Sequence, residues 1–291
     1  MLARACKQAW TRLRAPWHPF SRVASRIARR EILFVASWVL AITGVVAGVV
    51  VAQDRPIAAG ELRPGSAFAS EEIRNLQADD FANPGMLWVT RGEALWRAAP
   101  SGGQACAGCH GDAAASMRGV ATRYPRIDAK THELLDLPAR INQCRTDRQG
   151  QSPWQAESAE ILSITSFVSH QSSKQAMNVD ITGEAAPHFE AGRRLYNRRM
   201  GQMNLACANC HDANWGRTLY NERISQGHPT GFPAYRMEWQ GVGSLERRLR
   251  ACLSGIRAEM YPYGATELRQ LSLYLAWRAQ GLPVEAPGVR R

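Results

Sequence analysis

The stretch Cys207-Ala208-Asn209-Cys210-His211 decides the fold of this chain. Two cysteines separated by two residues and followed directly by a histidine form the attachment signature of a c-type haem. The thiols bind the porphyrin as thioethers, and the histidine becomes the proximal ligand of the iron. Much of the core around a haem held in this way is porphyrin and short helices, so we expect a mainly α fold. For a single motif, the alternative is a zinc or redox CxxC beside a nearby histidine.

The motif occurs twice, because Cys106-Ala107-Gly108-Cys109-His110 lies 101 residues earlier. Both copies share three further features: a glycine-led helical segment upstream, an aromatic-proline pair downstream, and a cysteine 19 residues after that proline. These features are Gly92 and Gly192, Tyr124-Pro125 and Phe232-Pro233, and Cys144 and Cys252. Each copy ends in an apolar-periodic segment that predicts a last helix, at 161–168 and 268–275. Such a duplication predicts two cytochrome c-like domains in series, each with one covalently bound haem c.

The predicted domain bounds are 53–84 for a linker or N-terminal extension, 85–180 for the first domain and 181–291 for the second. Residues 1–52 precede them as a targeting segment. Residues 32–52 carry no charge and follow a stretch with eight Lys/Arg and one Glu. Basic residues before an apolar run place the rest of the chain across the membrane, in the periplasm. Both a cleaved signal peptide and a retained membrane anchor fit the length of the run.

The formal net charge of +11 alone would suggest binding to nucleic acid. Most of the excess lies in the targeting segment, however, so we predict no nucleic-acid partner.

The sixth ligand of each iron is predicted by comparing the two copies. Met260 follows His211 at a suitable distance, but the corresponding region of the first copy contains no methionine. Both copies contain a cysteine, and soft sulfur suits haem iron. We therefore predict His110 with Cys144, and His211 with Cys252, as the axial pairs. The alternatives are Met260 at the second iron, a disulfide between Cys144 and Cys252, and a small buried cysteine.

Arginines surround the second of these cysteines. Residues 245–254 read as a helix, which places Arg248 and Cys252 on one face, and Arg247 and Arg250 add positive charge nearby. Guanidinium groups lower the pKa of a thiol and bind oxyanions with forked donors. A solvated basic helix face is the alternative for Arg247 and Arg250.

The second half of the chain resembles the SoxA family, the catalytic cytochrome c subunits of SoxAX complexes in bacterial thiosulfate oxidation. The residues that carry the resemblance are Phe232-Pro233-Ala234-Tyr235-Arg236-Met237-Glu238-Trp239-Gln240, Gly243-Ser244-Leu245, Arg247-Arg248-Leu249-Arg250-Ala251-Cys252, Ile256-Arg257-Ala258-Glu259 and Tyr263-Gly264. The resemblance extends over residues 85–285, and two CxxCH motifs are typical of the dihaem form. It implies cysteine ligation of both haems, with Cys252 as the active-site sulfur and Arg248 lining the substrate site. Met260 departs from the family pattern.

The reaction that the resemblance implies joins thiosulfate oxidatively to a cysteine of the carrier SoxYZ. Catalysis is then expected from Cys252 and Arg248, thiosulfate binding from Arg248 and Arg247, and electron exit through a partner cytochrome of the SoxX type. The first haem is expected to be structural or vestigial. Two other functions remain open: a dihaem thiosulfate dehydrogenase that forms tetrathionate, and a plain electron-transfer dihaem cytochrome.

Overall fold

A computed structural model describes residues 55–291 of the chain. The predicted signal or anchor segment, residues 1–52, lies outside the described residues. Within residues 55–291, no helix combines the length and the apolar character that crossing a bilayer requires.

The first half contains six helices and one short hairpin. The helices are α1 (Glu71–Ala78), α2 (Met86–Arg97), α3 (Cys106–His110), α4 (Ala113–Ser116), α5 (Leu137–Gln149) and α6 (Ala159–His170), and the strands are β1 (Arg126–Ile127) and β2 (Leu134–Leu135). Local sequence sets the bounds of α5: the Asp136 carboxylate accepts the Ala139 N–H at 2.8 Å, and Gly150 ends the helix in the left-handed conformation.

The second half repeats this order and adds strands. Its helices are α7 (Ala185–Asn197), α8 (Cys207–His211), α9 (Leu245–Gly255) and α10 (Thr266–Arg278). Its strands are β3 (Thr218–Leu219), β4 (Glu222–Arg223), β5 (Ala234–Arg236), β6 (Gly241–Gly243) and β7 (Gly288–Arg290). Strands β3 and β4 form a hairpin, while β5 pairs antiparallel with β6 and parallel with β7.

Each half is built on one pair of packed helices, α2 on α6 and α7 on α10. The repeated glycines lie at these two crossings. A Cβ on Gly92 would lie 2.1 Å from the Ser163 carbonyl oxygen, and one on Gly192 would lie 2.0 Å from that of Gln270. Only glycine allows the backbones to approach so closely. The prediction of a mainly helical protein with two cytochrome c-like units is confirmed, whereas the domain bounds stay a prediction.

The segment predicted as a linker or extension is folded from residue 55 onward and contacts the second half. The Gln226 side chain accepts the Arg63 N–H at 2.8 Å and donates to the Glu61 carbonyl at 2.9 Å. Asn83, which is 4% exposed, donates to the Pro287 carbonyl at 3.0 Å. This segment therefore helps to fix the position of the residues that lead into β7.

A cavity of about 230 Å³ lies between the two halves. Matching residues of the two copies line it, among them Leu137 and Leu245. Its walls also hold three carboxyl groups, of Asp136, Glu157 and Glu246, and the guanidinium of Arg269. The pKa of Glu246 is raised from 4.5 to about 7, mainly by burial and also by the neighbouring Asp136, while the Gly264 N–H and Arg269 act in the opposite direction.

Glu246→Gln is expected to stabilise the protein above pH 7 and to change its stability little near pH 5. Between pH 4.5 and 7 the unfolded chain carries an ionised Glu246 while the folded chain keeps it protonated, so the wild type loses stability as pH rises through this window. The gain at pH 8 is roughly 1 to 2 kcal/mol, after a reduction for partial exposure of the side chain. Differential scanning calorimetry of both proteins at pH 5 and pH 8 measures it. Equal pH dependence of the two melting temperatures would contradict the assignment.

Candidate haem and sulfur site

Helix α8 carries Cys207, Cys210 and His211, and it holds the imidazole in one orientation. Nδ1 of His211 lies 2.7 Å from the Ser225 carbonyl oxygen. A carbonyl only accepts hydrogen bonds, so Nδ1 carries the proton and donates it. This bond leaves Nε2 with a free lone pair, which is what iron binding by a proximal histidine requires.

The thiol of Cys252, on α9, lies beside the His211 imidazole. Burial alone would raise the pKa of Cys252, but the neighbouring imidazole and the positive charges of Arg248 and Arg236 outweigh it. The pKa is therefore lowered from its ordinary value. The fold thus brings together a histidine and a cysteine that are 41 residues apart in the chain.

The two thiols of the CxxCH motif lie beside the same sulfur. The pKa of Cys207 is raised to about 12, mainly by burial and also by the neighbouring Cys252. Burial and Cys252 also raise the pKa of Cys210. Cys207, Cys210, His211 and Cys252 therefore form one cluster in the second half.

A buried polar network lies next to His211. Arg278, which is 2% exposed, contacts Asp212 Oδ1 at 2.6 Å, and the same oxygen accepts the Tyr196 hydroxyl at 2.9 Å. Nε and Nη1 of Arg278 and Nε2 of His228 are buried, and they have no hydrogen-bond partner among the described residues. Orphaned polar atoms in a core usually mark the place of a group that the polypeptide does not supply. Together with the free Nε2 of His211, they show that this half fits a covalently attached haem.

Two arginines place positive charge at Cys252. Arg248 precedes it by one turn of α9 and has no ion-pair partner within residues 55–291. Arg236, in the central strand β5, is 5% exposed and pairs with Glu238 at 2.8 Å and Glu222 at 3.7 Å. Burial lowers the pKa of Arg236 and the charge of Arg248 lowers it further, so the two guanidinium groups are neighbours.

Sequence reasoning did not assign Arg236 to the site. The run that carries the family resemblance contains it, but its part in the site depends on the sheet. Pairing between β5 and β7 brings that strand alongside the C-terminus, which the sequence pattern does not predict. One feature of the sequence could have pointed to Arg236: a charged residue in a short segment that is otherwise apolar is expected to be buried only where it has a partner or a function.

The other arginines of α9 are engaged elsewhere. The Arg247 guanidinium lies 4.3 Å from the centre of the Trp239 ring and 3.9 Å from Glu157 Oε2. Arg250 lies 4.4 Å from the centre of the Tyr263 ring and donates to the Tyr261 carbonyl. Of the three arginines in α9, only Arg248 has neither an ion-pair nor an aromatic partner among the described residues.

The corresponding site in the first half is built differently. Cys144 lies near Cys106, whose pKa is raised by burial and by Cys144. His110 is exposed, and its ring lies 5.6 Å from that of Trp96. No hydrogen bond within residues 55–291 joins Cys144 to His110.

The arginines near Cys144 have partners of their own. Arg140 pairs with Asp128 at 3.0 Å, and the Arg145 guanidinium stacks on Trp154 at 4.1 Å. The structure therefore places Cys252 beside His211, the second predicted axial pair. In the first predicted pair, Cys144 and His110, the histidine is exposed.

The structure bears on two of the alternatives for Cys252. Cys144 and Cys252 are both free thiols. Met260 is 46% exposed on the surface, while Cys252 faces the imidazole. The geometry favours cysteine over methionine opposite His211, and the axial pairs themselves stay predictions.

Comparison with known proteins identifies the family. The family model described as the SoxA/TsdA cytochrome c domain matches residues 91–177 and 191–284. The L-cysteine S-thiosulfotransferase subunit SoxA of Pseudaminobacter salicylatoxidans is 40% identical over 229 residues, which are 78% of this chain and 80% of the relative. The subunit of the same name from Paracoccus pantotrophus is 38% identical over 78% of each chain.

A solved structure matches as well. The crystal structure of SoxXA from P. pantotrophus superposes with a TM-score of 0.76 at 38% identity, covering 79% of this chain and 87% of that chain. The family model, the sequence relatives and the solved structure agree with one another, and the chain therefore belongs to the SoxA family of haem c-binding cytochromes.

Proposed function

We propose that this protein is an L-cysteine S-thiosulfotransferase that joins thiosulfate oxidatively to a cysteine of a SoxYZ-type carrier. The observation that carries the proposal is the position of the Cys252 thiol, which lies beside His211 and close to Arg248 and Arg236, so that these groups lower its pKa in spite of its burial. A thiolate with a guanidinium one helical turn away can react with the sulfur of a small oxyanion that this guanidinium binds. The names of the SoxA relatives support the same activity.

Two haem c groups are part of the proposal. Cys207 and Cys210 would hold the second, with His211 and Cys252 as axial ligands, and Cys106 and Cys109 would hold the first, with His110 and Cys144. A bound c-type haem supplies a one-electron acceptor. Because the reaction releases two electrons, a second acceptor is needed, and a partner cytochrome of the SoxX type fits this role.

The chain's own residues carry the bond changes. Arg248 binds the sulfonate end of thiosulfate with paired donors, and Arg236 and Arg247 add positive field. The sulfane sulfur of thiosulfate and the Cys252 thiolate then form an S–S bond and release two electrons, giving Cys252–S–S–SO₃⁻. The lowered pKa of Cys252 favours the thiolate, which is the nucleophilic form of the sulfur.

The second step regenerates the thiolate. The carrier's cysteine thiolate attacks the sulfane sulfur, which bears the sulfonate; the bond from that sulfur to Cys252 breaks, Cys252 leaves as a thiolate, and the carrier keeps the –S–SO₃⁻ group. A leaving group of low pKa leaves faster, so the same positive charges serve both steps. Residues 1–52 provide the export signal in this proposal, and the reaction takes place in the periplasm.

Replacing the two candidate sulfur ligands separately tests the axial pair of the second haem. Cys252→Ala is expected to change the electron paramagnetic resonance spectrum of one haem from thiolate to non-thiolate ligation, whereas Met260→Ala leaves the spectrum unchanged. Pyridine haemochrome assays check that both variants keep their full haem content. A changed spectrum in Met260→Ala with an unchanged one in Cys252→Ala would make methionine the ligand.

Replacing the anion-binding residue tests the reaction. Arg248→Ala is expected to lower kcat/KM for thiosulfate-dependent carrier loading by at least about 100-fold, because a charge-assisted contact and the thiolate's stabilisation are lost together. Arg250→Ala is the matched control, since Arg250 bonds Tyr261 and stacks on Tyr263 instead, and it should lose less than about threefold. Loading is followed by the mass of the carrier.

Near-normal loading by Arg248→Ala, or tetrathionate as the product without any carrier, would contradict the proposal.

A further inference from the structure

The segment that carries Cys252 is embedded in the first half of the molecule. Val242, in β6, is 3% exposed and belongs to the apolar cluster of the first half, together with Val89 of α2 and Ile161 of α6. Tyr235 of β5 packs against the same cluster, with its ring 6.1 Å from that of Trp88 in an edge-to-face arrangement. The first half therefore supplies part of the surface on which α9 is mounted.

Glu157, in the loop between α5 and α6, reaches the beginning of α9. Its two carboxylate oxygens lie 3.3 and 3.4 Å from the Ser244 backbone nitrogen, and Oε2 lies 3.9 Å from Arg247 Nη1. Ser244 caps α9 by accepting the Arg247 N–H at 3.1 Å. A carboxylate at a helix N-terminus also interacts favourably with the helix dipole. Glu157 thus binds both the cap residue and a first-turn side chain of the helix that presents Cys252.

The junction around Glu157 is tightly constrained. Its side chain is 16% exposed, and its own backbone has a φ of +61°, in the left-handed region that is uncommon for a residue with a side chain. Arg247 is fixed from its other side by Trp239. A Cβ on Gly243 would lie 2.4 Å from the Trp239 ring and 3.0 Å from Arg247 Cδ. Any larger residue at this position would therefore clash with the stacked Trp239 and Arg247 side chains.

Small movements at this junction are amplified at the reactive sulfur. Cys252 lies eight residues after Ser244, or about 12 Å along the helix. A tilt of about 5° at the cap therefore displaces the sulfur by about 1 Å relative to His211. Displacements of this size lower the rates of oriented reactions by as much as 100-fold.

We propose that Glu157 is a positioning residue through which the first haem domain holds α9, and with it Cys252, in register with His211. In this proposal the first domain positions the helix that carries the reactive cysteine of the second domain. The effect on transfer rests on the proposed function, whereas the effect on the geometry of Cys252 does not.

Glu157→Gln tests the inference, because the amide keeps the shape and loses the charge. Glu160→Gln is the matched control, since Glu160 pairs only with Arg91 on the surface of the first half. Haem content should be unchanged in both. In Glu157→Gln the thiolate signal in the electron paramagnetic resonance spectrum should broaden or split without thiosulfate present, and kcat/KM for carrier loading should fall about tenfold. Glu157→Asp should restore part of both.

A double-mutant cycle separates positioning from a general loss of stability. If Glu157 acts partly through Arg247, the double variant Glu157→Gln/Arg247→Gln should disturb the thiolate signal less than the sum of the single variants. A spectrum of Glu157→Gln identical to that of Glu160→Gln would overturn the inference. If the wild type transferred no thiosulfate, the proposed function would fail, while the spectra would still decide the role of Glu157.

Discussion

The placement of the Cys252 sulfur beside the His211 imidazole is the constraint on which the rest of the site depends. It requires that α8 present the imidazole with Nδ1 tied to Ser225, so that Nε2 faces inward. It also requires that α9 deliver a sulfur to the same point from a distant part of the sequence. Arg248 reaches the sulfur from α9 itself, and Arg236 reaches it from β5. The lowered pKa of Cys252 therefore depends on residues from three separate elements, α8, α9 and β5.

Duplication produced two similar scaffolds with different electrostatics. Both halves cross two helices over a glycine, and both place a cysteine on the helix that follows the aromatic-proline pair. In the first half Asp128 neutralises Arg140, and Trp154 covers Arg145. In the second half Arg248 is left unpaired among the described residues, and Arg236 adds a buried charge beside it. The same fold thus gives each arginine near Cys144 a partner, whereas near Cys252 it leaves Arg248 without an ion-pair partner among the described residues and pairs only Arg236 with carboxylates.

The sequence predicted those features of the fold and site that depend on residues close together in the chain. Residue type and spacing predicted the haem-attachment sites, the glycine-led helical segments and the helix that starts at Leu245. They also predicted that Arg248 and Cys252 share one face of that helix. The parts that depend on tertiary pairing did not follow. Arg236 enters the site because β5 is the central strand of a sheet that the C-terminus completes. Glu157 and Val242 contribute because one half packs onto the other, which no periodicity within either copy reveals.

The most direct test of the account is the mass of the Cys252 peptide after the protein and its partner cytochrome have reacted with thiosulfate in the absence of carrier. The account predicts that the thiol hydrogen of Cys252 is replaced by one –S–SO₃⁻ group, which later addition of the carrier removes. An unmodified Cys252 in a preparation that nevertheless loads the carrier would contradict the claim that this sulfur carries the transferred group.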